Sequence, residues 1–506
     1  MLLELAKARR DELAVDDGTR TRTFGELADR VVRLAHFLRH DQGLGPREHF
    51  SVLMGNRVEA VEMILGGIAS SQWVTPINWH LAEEEIEYVV ADSGARLIVT
   101  DGKYAPTARR IAAAHPGLRV VEAGDELDGL LAAVSPRPLD LDAPGGGNMI
   151  YTSGTTGRPK GVKRAAPPTV GDALHGLGGI GAPVGLDGSG PHLITGPMYH
   201  AAPLMFAIYD NANGAPIHIL QRWDERAALD WIMRREVAHV HLVPTMFVRL
   251  LRLPEAERAA FAAPKLRLAL HGAAPISAPV KRRMIEWFGP VLLEYWGATE
   301  GGVNTLATSA EWLAHPGTVG RVLPAFDVFA RDDEGRRLPD GEVGALYCRH
   351  AQMPRVFEYH GAPEKTAEAH PEPHLFTIGD VGRVEDGFVY LADRKSHMII
   401  SGGVNIYPAE VEQVLQEHPA VADVAVFGIP DDEWGESVKA AVELAEGYAA
   451  SEALAEEILA FGRERMAKYK LPRSIDFEDE LPRHDSGKLY TRKLRDPYWQ
   501  GRERKI

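Results

Sequence analysis

Tyr151-Thr152-Ser153-Gly154-Thr155-Thr156-Gly157-Arg158-Pro159-Lys160-Gly161 completes and follows a strand-like run, Asn148–Thr152. Two hydroxyl pairs supply side-chain donors, three glycines let backbone N–H groups come close to a ligand, and Lys160 adds positive charge. Together these suit a polyphosphate, and a phosphate cradle leaving a strand is a device of α/β folds. The glycine spacing differs from the Walker pattern, and Lys160 is followed by Gly161 where that pattern needs Ser or Thr. A plain Gly/Thr surface turn would explain flexibility but not the joint supply of hydroxyls, glycines and a lysine.

Upstream, short apolar runs alternate with helical periodicity: Phe50–Met54, a helix over Val58–Ala69, Trp73–Ile77, a helix through Glu83–Ala91, then Leu97–Thr100. This rhythm predicts a large, multi-layer α/β domain with parallel sheets. Ser135–Gly147, rich in Pro, Gly and Asp, reads as a connector within it. Alternation continues through His192–Thr195, Val240–Val243 and Leu266–Leu270, then turns irregular between Pro316 and Gly361, which predicts an added β element. The C-terminal stretch reads as a separate small α+β unit. It has a helix from Pro408 closed by Pro419, strands over Ala422–Ile429, Val438–Leu444 and Ser474–Phe477, and an amphipathic helix marked by Leu454, Ile458 and Phe461. The boundary falls near Asp393–Ser401, giving domains 1–395 and 396–506.

A chain of 506 residues exceeds what one core supports, and 45% hydrophobic with 25% charged residues is an ordinary globular composition. The formal charge of −15 disfavours nucleic acid and anionic lipid as partners, leaving small molecules. The single cysteine, Cys348, excludes an internal disulfide framework and reads as a buried small hydrophobe. Met1–Asp17 lacks the sustained apolar segment of a signal peptide, and no run is long enough to span a bilayer. The expectation is a cytoplasmic protein without integral membrane contact, for which a homodimer remains open.

Two further segments carry chemistry. In Glu294-Tyr295-Trp296-Gly297-Ala298-Thr299-Glu300-Gly301, a carboxylate follows a hydroxyl beside a glycine turn, which suits a Mg²⁺ ion shared with substrate phosphates; Glu300 is the expected ligand. In Thr377-Ile378-Gly379-Asp380-Val381-Gly382, an aspartate on a glycine-flanked turn can accept from both hydroxyls of a ribose, with Arg394 as its partner.

In these segments and their order, the chain resembles the adenylate-forming superfamily of acyl-CoA synthetases, amino-acid adenylation domains and firefly luciferases, and within it the acyl-CoA synthetase branch. The resemblance implies that Thr152, Ser153, Gly154, Thr155, Thr156, Gly157 and Lys160 embrace the ATP phosphates, with Thr156 joining Glu300 at the metal. It implies that Trp296, standing where the family usually has tyrosine, stacks on adenine within Glu294, Tyr295, Gly297 and Thr299, and that Gly272, Ala273 and Ala274 line the ring's other side. Lys488, in Leu481-Pro482-Arg483-His484-Asp485-Ser486-Gly487-Lys488, takes the place of the catalytic lysine. Ser396 stands where relatives carry Asp or Lys as the domain pivot. Gly402 and Gly403 correspond to the tunnel for coenzyme A; Lys470 either meets the phosphates of CoA or lies on a solvated face.

Gly196–Leu204 resembles one wall of the acyl pocket and lacks the aspartate with which amino-acid-activating relatives bind an ammonium. His200, Ala201, Leu204, Val243 and Ala298 then describe a roomy, uncharged pocket for a hydrophobic fatty, aryl or steroid-like acid. His200 is either a gate between the acyl and CoA channels or a structural histidine. The expected activity is ATP-dependent ligation of a carboxylic acid to CoA through an acyl-adenylate, using ATP, Mg²⁺ and CoA. The alternatives are loading of a carrier protein, luciferase-type oxygenation, or a silent acyl-binding paralogue; intact Lys488, Glu300 and phosphate loop argue against the last.

Overall fold

In the computed structural model, residues 2–152, 159–394, 397–401, 404–431, 434–483 and 489–500 are described, except for the side chains of residues 393, 394 and 405. The apolar runs form strands. His49–Leu53, Trp73–Pro76, Ala95–Thr100, Arg119–Glu122 and Gly147–Thr152 make the parallel part of a seven-stranded sheet. Lys160–Arg164 and Phe357–Tyr359 extend this sheet antiparallel. His49–Leu53 is buried along its whole length, as expected of a strand covered on both faces.

A second sheet of fourteen strands contains the parallel strands Ile217–Ile219, His192–Ile194, His239–Leu242, Leu268–His271 and Leu292–Ala298. From Gly302–Thr308 onward it becomes antiparallel, through Gly320–Val322, Phe388–Arg394, Asp380–Glu385, Gly344–His350 and Phe326–Arg331. This is the β element expected after Pro316. Its core holds Cys348, 1% exposed and free, packed with Trp296, Phe357 and Phe376; burial pushes the thiol pKa up, and the residue behaves as a hydrophobe.

Helices fill the space between the two sheets. Val58–Ala69 packs on Trp73–Pro76 and on helix Val170–Gly181, which meets helix Ala201–Ala212 on the strands His192–Ile194 and His239–Leu242. All twelve residues of Val58–Ala69 are buried, including two carboxylates. Arg57 and Arg20 pair with Glu59, and Arg22 and Arg30 with Glu62, because a buried charge is tolerable only when matched. The small C-terminal domain carries its own sheet, in which Gly435–Leu444 lies between Val421–Asp431 and the parallel strand Ser474–Glu478, covered by helices Pro408–Leu415 and Glu452–Arg463. Among the described residues no helix is long and apolar enough to cross a membrane.

Candidate active site

The parallel strands of the larger sheet end beside the small domain, and open α/β sheets present ligands at such carboxyl ends. Leu268–His271 runs into Gly272, where an added Cβ would lie 2.6 Å from the Tyr295 carbonyl oxygen and 2.9 Å from its ring, so only glycine fits. Ala273 follows with φ +68°, a left-handed conformation that costs an alanine about 1–2 kcal/mol and keeps the turn tight. Next to it, Leu292–Ala298 and Gly302–Thr308 form a hairpin, and a Cβ on Gly297 would lie 1.9 Å from the Gly302 carbonyl oxygen. Thr299 and Glu300 ride at its tip.

Gly272, Ala273, Ala274, Trp296, Gly297 and Asp380 line one cavity of about 1320 Å³ that also takes Pro408, Arg483 and Arg495 from the small domain. Trp296 is 5% exposed, and its indole N–H donates to Oδ2 of Asp380 at 2.8 Å. The aromatic expected against adenine and the carboxylate expected on ribose are therefore one unit. Asp380 pairs with Arg394 in the antiparallel register; the Arg394 side chain lies outside the description. Glu294 also reaches this wall, but its carboxylate is engaged by buried Lys281, whose ammonium lies 4.8 Å from the Trp312 ring centroid. Tyr295 faces inward: its hydroxyl meets Nε2 of His241 at 3.0 Å and Phe206 packs edge-on against its ring.

Thr152 and Lys160 pair across two antiparallel strands that bracket residues 153–158. Ser153, Gly154, Thr155, Thr156 and Gly157 lie outside the described residues. The Lys160 ammonium sits 5.1 Å from the Tyr359 ring centroid, and the Tyr359 hydroxyl donates to Oε1 of Glu300 at 3.2 Å. Burial, and then the charge of Lys365, lower the Lys160 pKa from its ordinary value. Sequence reasoning missed Tyr359, because it lies in the irregular stretch 59 residues after Glu300 and belongs to no motif.

These groups open into a second cavity of about 1530 Å³, walled by Lys160, Thr299, Glu300, Ala298, His200, Ala201 and Val243. His200 stands at the start of helix Ala201–Ala212 with its ring 4.3 Å from that of Tyr199. Leu204, expected on this wall, is instead turned into the hydrophobic core with Met198, Ala207 and Ile208, since it points to the buried side of that helix. Lys470 is ion-paired with Glu410. Ser396, Gly402, Gly403 and Lys488 lie outside the described residues, but Leu489 and Thr491 line both cavities. A separate buried group, His192, Asp210 and His239, offers metal-ligating atoms. Both Nδ1 atoms lie within hydrogen-bond distance of Asp210 Oδ2, at 2.9 and 2.6 Å, so the three form a hydrogen-bonded group at the opposite ends of the strands.

Residues 3–357 match the model of the AMP-binding enzyme family, and residues 410–488 match that of the AMP-binding enzyme C-terminal domain. The chain belongs to the AMP-binding enzyme family. It is 33% identical over 500 residues to the fatty acid–[acyl-carrier-protein] ligase ScoC of Streptomyces coeruleorubidus, covering 96% of this chain and 93% of that one. It is 34% identical over 492 residues to a feruloyl-CoA synthase of Amycolatopsis sp, covering 95% of each. The o-succinylbenzoate CoA synthetase of Bacillus subtilis, solved with its acyl-adenylate intermediate, superimposes with a TM-score of 0.82 at 27% identity, covering 100% of this chain and 99% of that one. As an AMP-binding enzyme the chain is an AMP-forming acid–thiol ligase that uses ATP and works through an acyl-adenylate.

Proposed function

We propose that this AMP-binding enzyme ligates a carboxylic acid with a largely hydrophobic body to the thiol of CoA. The observation that carries the reading is the shared wall of the two cavities: Ala273, Tyr295 and Gly297 belong to both. A nucleotide held by Trp296 and Asp380 thus meets, at the Gly297–Glu300 hairpin, an acid entering past His200 and Ala298. A carboxylate oxygen attacks the α-phosphorus, the bond to the bridging oxygen breaks, and pyrophosphate leaves with its electron pair. The CoA thiolate then attacks the acyl carbon and AMP departs.

The residues present fit these groups. Asp380 accepts the ribose hydroxyls, Lys160 neutralises phosphate charge, and Lys488 balances the charge developing at the α-phosphate. Glu300, with Thr156, would hold Mg²⁺, which supplies charge neutralisation on the phosphates. The small domain 396–506 rotates against domain 1–395 between the two half-reactions, about a pivot at Ser396. The need for ATP and CoA supports a cytoplasmic setting. The relative ScoC favours a second reading, in which the thiol belongs to a carrier protein. Supplying CoA and a phosphopantetheinylated carrier protein separately, with ATP and a panel of acids, tests this: thioester with CoA supports the proposal, and thioester with the carrier alone replaces it.

A further inference from the structure

The acyl cavity is apolar over most of its extent, with Leu177, Ile180, Val184, Phe206 and Phe326 on its wall. One strand departs from this. Along Lys160–Arg164, residues 160, 162 and 164 line the cavity while 161 and 163 do not, as strand alternation requires. Two cations therefore enter the same cavity from one strand, separated by about 13 Å of backbone at about 3.3 Å per residue. Lys160 belongs to the phosphate end, beside Glu300. Arg164 stands at the far end, among the groups that would surround the body of the acid.

The exposed Arg164 side chain lays its guanidinium against the wall at Gly302. Gly302 faces it with φ +72°, and a Cβ there would lie 3.0 Å from one terminal nitrogen and 3.1 Å from the other. Its field reaches Tyr209 and His350, both on the same cavity wall. Nδ1 of His350 accepts from the backbone N–H groups of Gln352 at 3.1 Å and Met353 at 3.0 Å, which leaves the ring proton on Nε2 as a donor. Among the described residues no carboxylate lies within 4 Å of Arg164, although most arginines of this acidic chain are paired. An arginine fork that lines a cavity while staying exposed to solvent, with no carboxylate of the described residues within ion-pair distance, is suited to bidentate capture of a carboxylate.

Resting on the ligase reading above, we infer that Arg164, with His350 and Tyr209, forms a second anion subsite in the acyl cavity, and that the substrate is an acid whose hydrophobic body carries a further acidic group distal to the reacting carboxyl. Exchange of labelled pyrophosphate into ATP, without CoA, should be measured with matched series: α,ω-diacids and monoacids of six to twelve carbons. The subsite predicts kcat/KM higher by about 10- to 100-fold for the best diacid than for its matched monoacid, the size of a charge-assisted pair. Arg164→Leu should lower that ratio by a similar factor and Arg164→Lys should restore part of it. Monoacids working as well as diacids in the natural enzyme would overturn the subsite while leaving the ligase intact, as would a ratio unmoved by Arg164→Leu. A rise in KM for ATP with the acid ratio unchanged would assign Arg164 to the nucleotide and equally overturn it. Absence of exchange with both series and also with aryl and steroid-like acids would sink the ligase reading itself.

Discussion

The indole N–H of Trp296 spans 84 residues of chain to hold Oδ2 of Asp380 at 2.8 Å, so the ring proposed to face adenine and the carboxylate proposed to hold the ribose are tied together. Trp296→Phe keeps a π-face and removes the donor. Hydrogen bonds to charged groups contribute about 1.5–3 kcal/mol, which converts to an increase of about 10- to 100-fold in KM for ATP. The KM for the acid should change far less. Steady-state kinetics with ATP and acid varied in turn checks this; an unchanged KM for ATP would reduce Trp296 to a core residue.

Glu300 and Tyr359 should separate by magnitude. Glu300→Gln removes an anionic oxygen and should lower the adenylation rate by about 10- to 1000-fold, most at limiting Mg²⁺. Tyr359→Phe removes only the hydroxyl that donates to Glu300 at 3.2 Å, and about 1 kcal/mol, or a factor near 5, is expected. The paired variant should be no worse than Glu300→Gln alone, because the hydroxyl acts through the carboxylate. A Mg²⁺ titration of the three variants measures both effects.

Stability should fall on mild acidification. Burial first, and then the nearby His192 and His200, push the His241 pKa down to about 3, whereas an unfolded histidine titrates near 6.5. Between these values the unfolded chain binds a proton that the folded site refuses, so the stabilisation is complete above about pH 6.5 and declines as pH falls. The slope is up to about 1.4 kcal/mol per pH unit for one such group. His49, also pushed to about 3, adds to it. Urea unfolding at pH 7, 6 and 5 should show the loss, and His241→Gln should make it shallower by about one proton.

Much of this architecture could be read from residue patterns. The helix over Val58–Ala69 has the bounds its periodicity predicts, and the strands shift by one to three residues. What periodicity could not reveal is that Glu59 and Glu62 are buried, since apart from Arg57 their partners Arg20, Arg22 and Arg30 lie more than twenty residues away. The same holds at the site. Trp296, Asp380 and Glu300 stand in local motifs that single them out as candidates, whereas Tyr359 and Arg164 come to the candidate site only through the antiparallel pairing of Lys160–Arg164 with Phe357–Tyr359. Leu204 misled because a motif names a helix turn without saying which of its faces meets the cavity.

The two half-reactions should come apart at Lys488. Lys488→Ala should slow adenylation by about 100-fold or more, the loss expected when a positioned charge at a developing anion is removed. Thioester formation from supplied acyl-adenylate and CoA should persist. Ser396→Pro should do the reverse, because fixing φ restricts the backbone change a pivot must absorb. Equal loss of both half-reactions in both variants, with circular dichroism unchanged, would remove the rotation of the small domain from the account.

The central claim is that nucleotide and acid meet at the Gly297–Glu300 hairpin to form an adenylate before any thiol is needed. The most direct measurement is acid-dependent exchange of labelled pyrophosphate into ATP with CoA absent. The account predicts exchange that requires the acid, followed on CoA addition by AMP and acyl-CoA in equal amounts. ADP and phosphate as the products, or exchange indifferent to the acid, would contradict it.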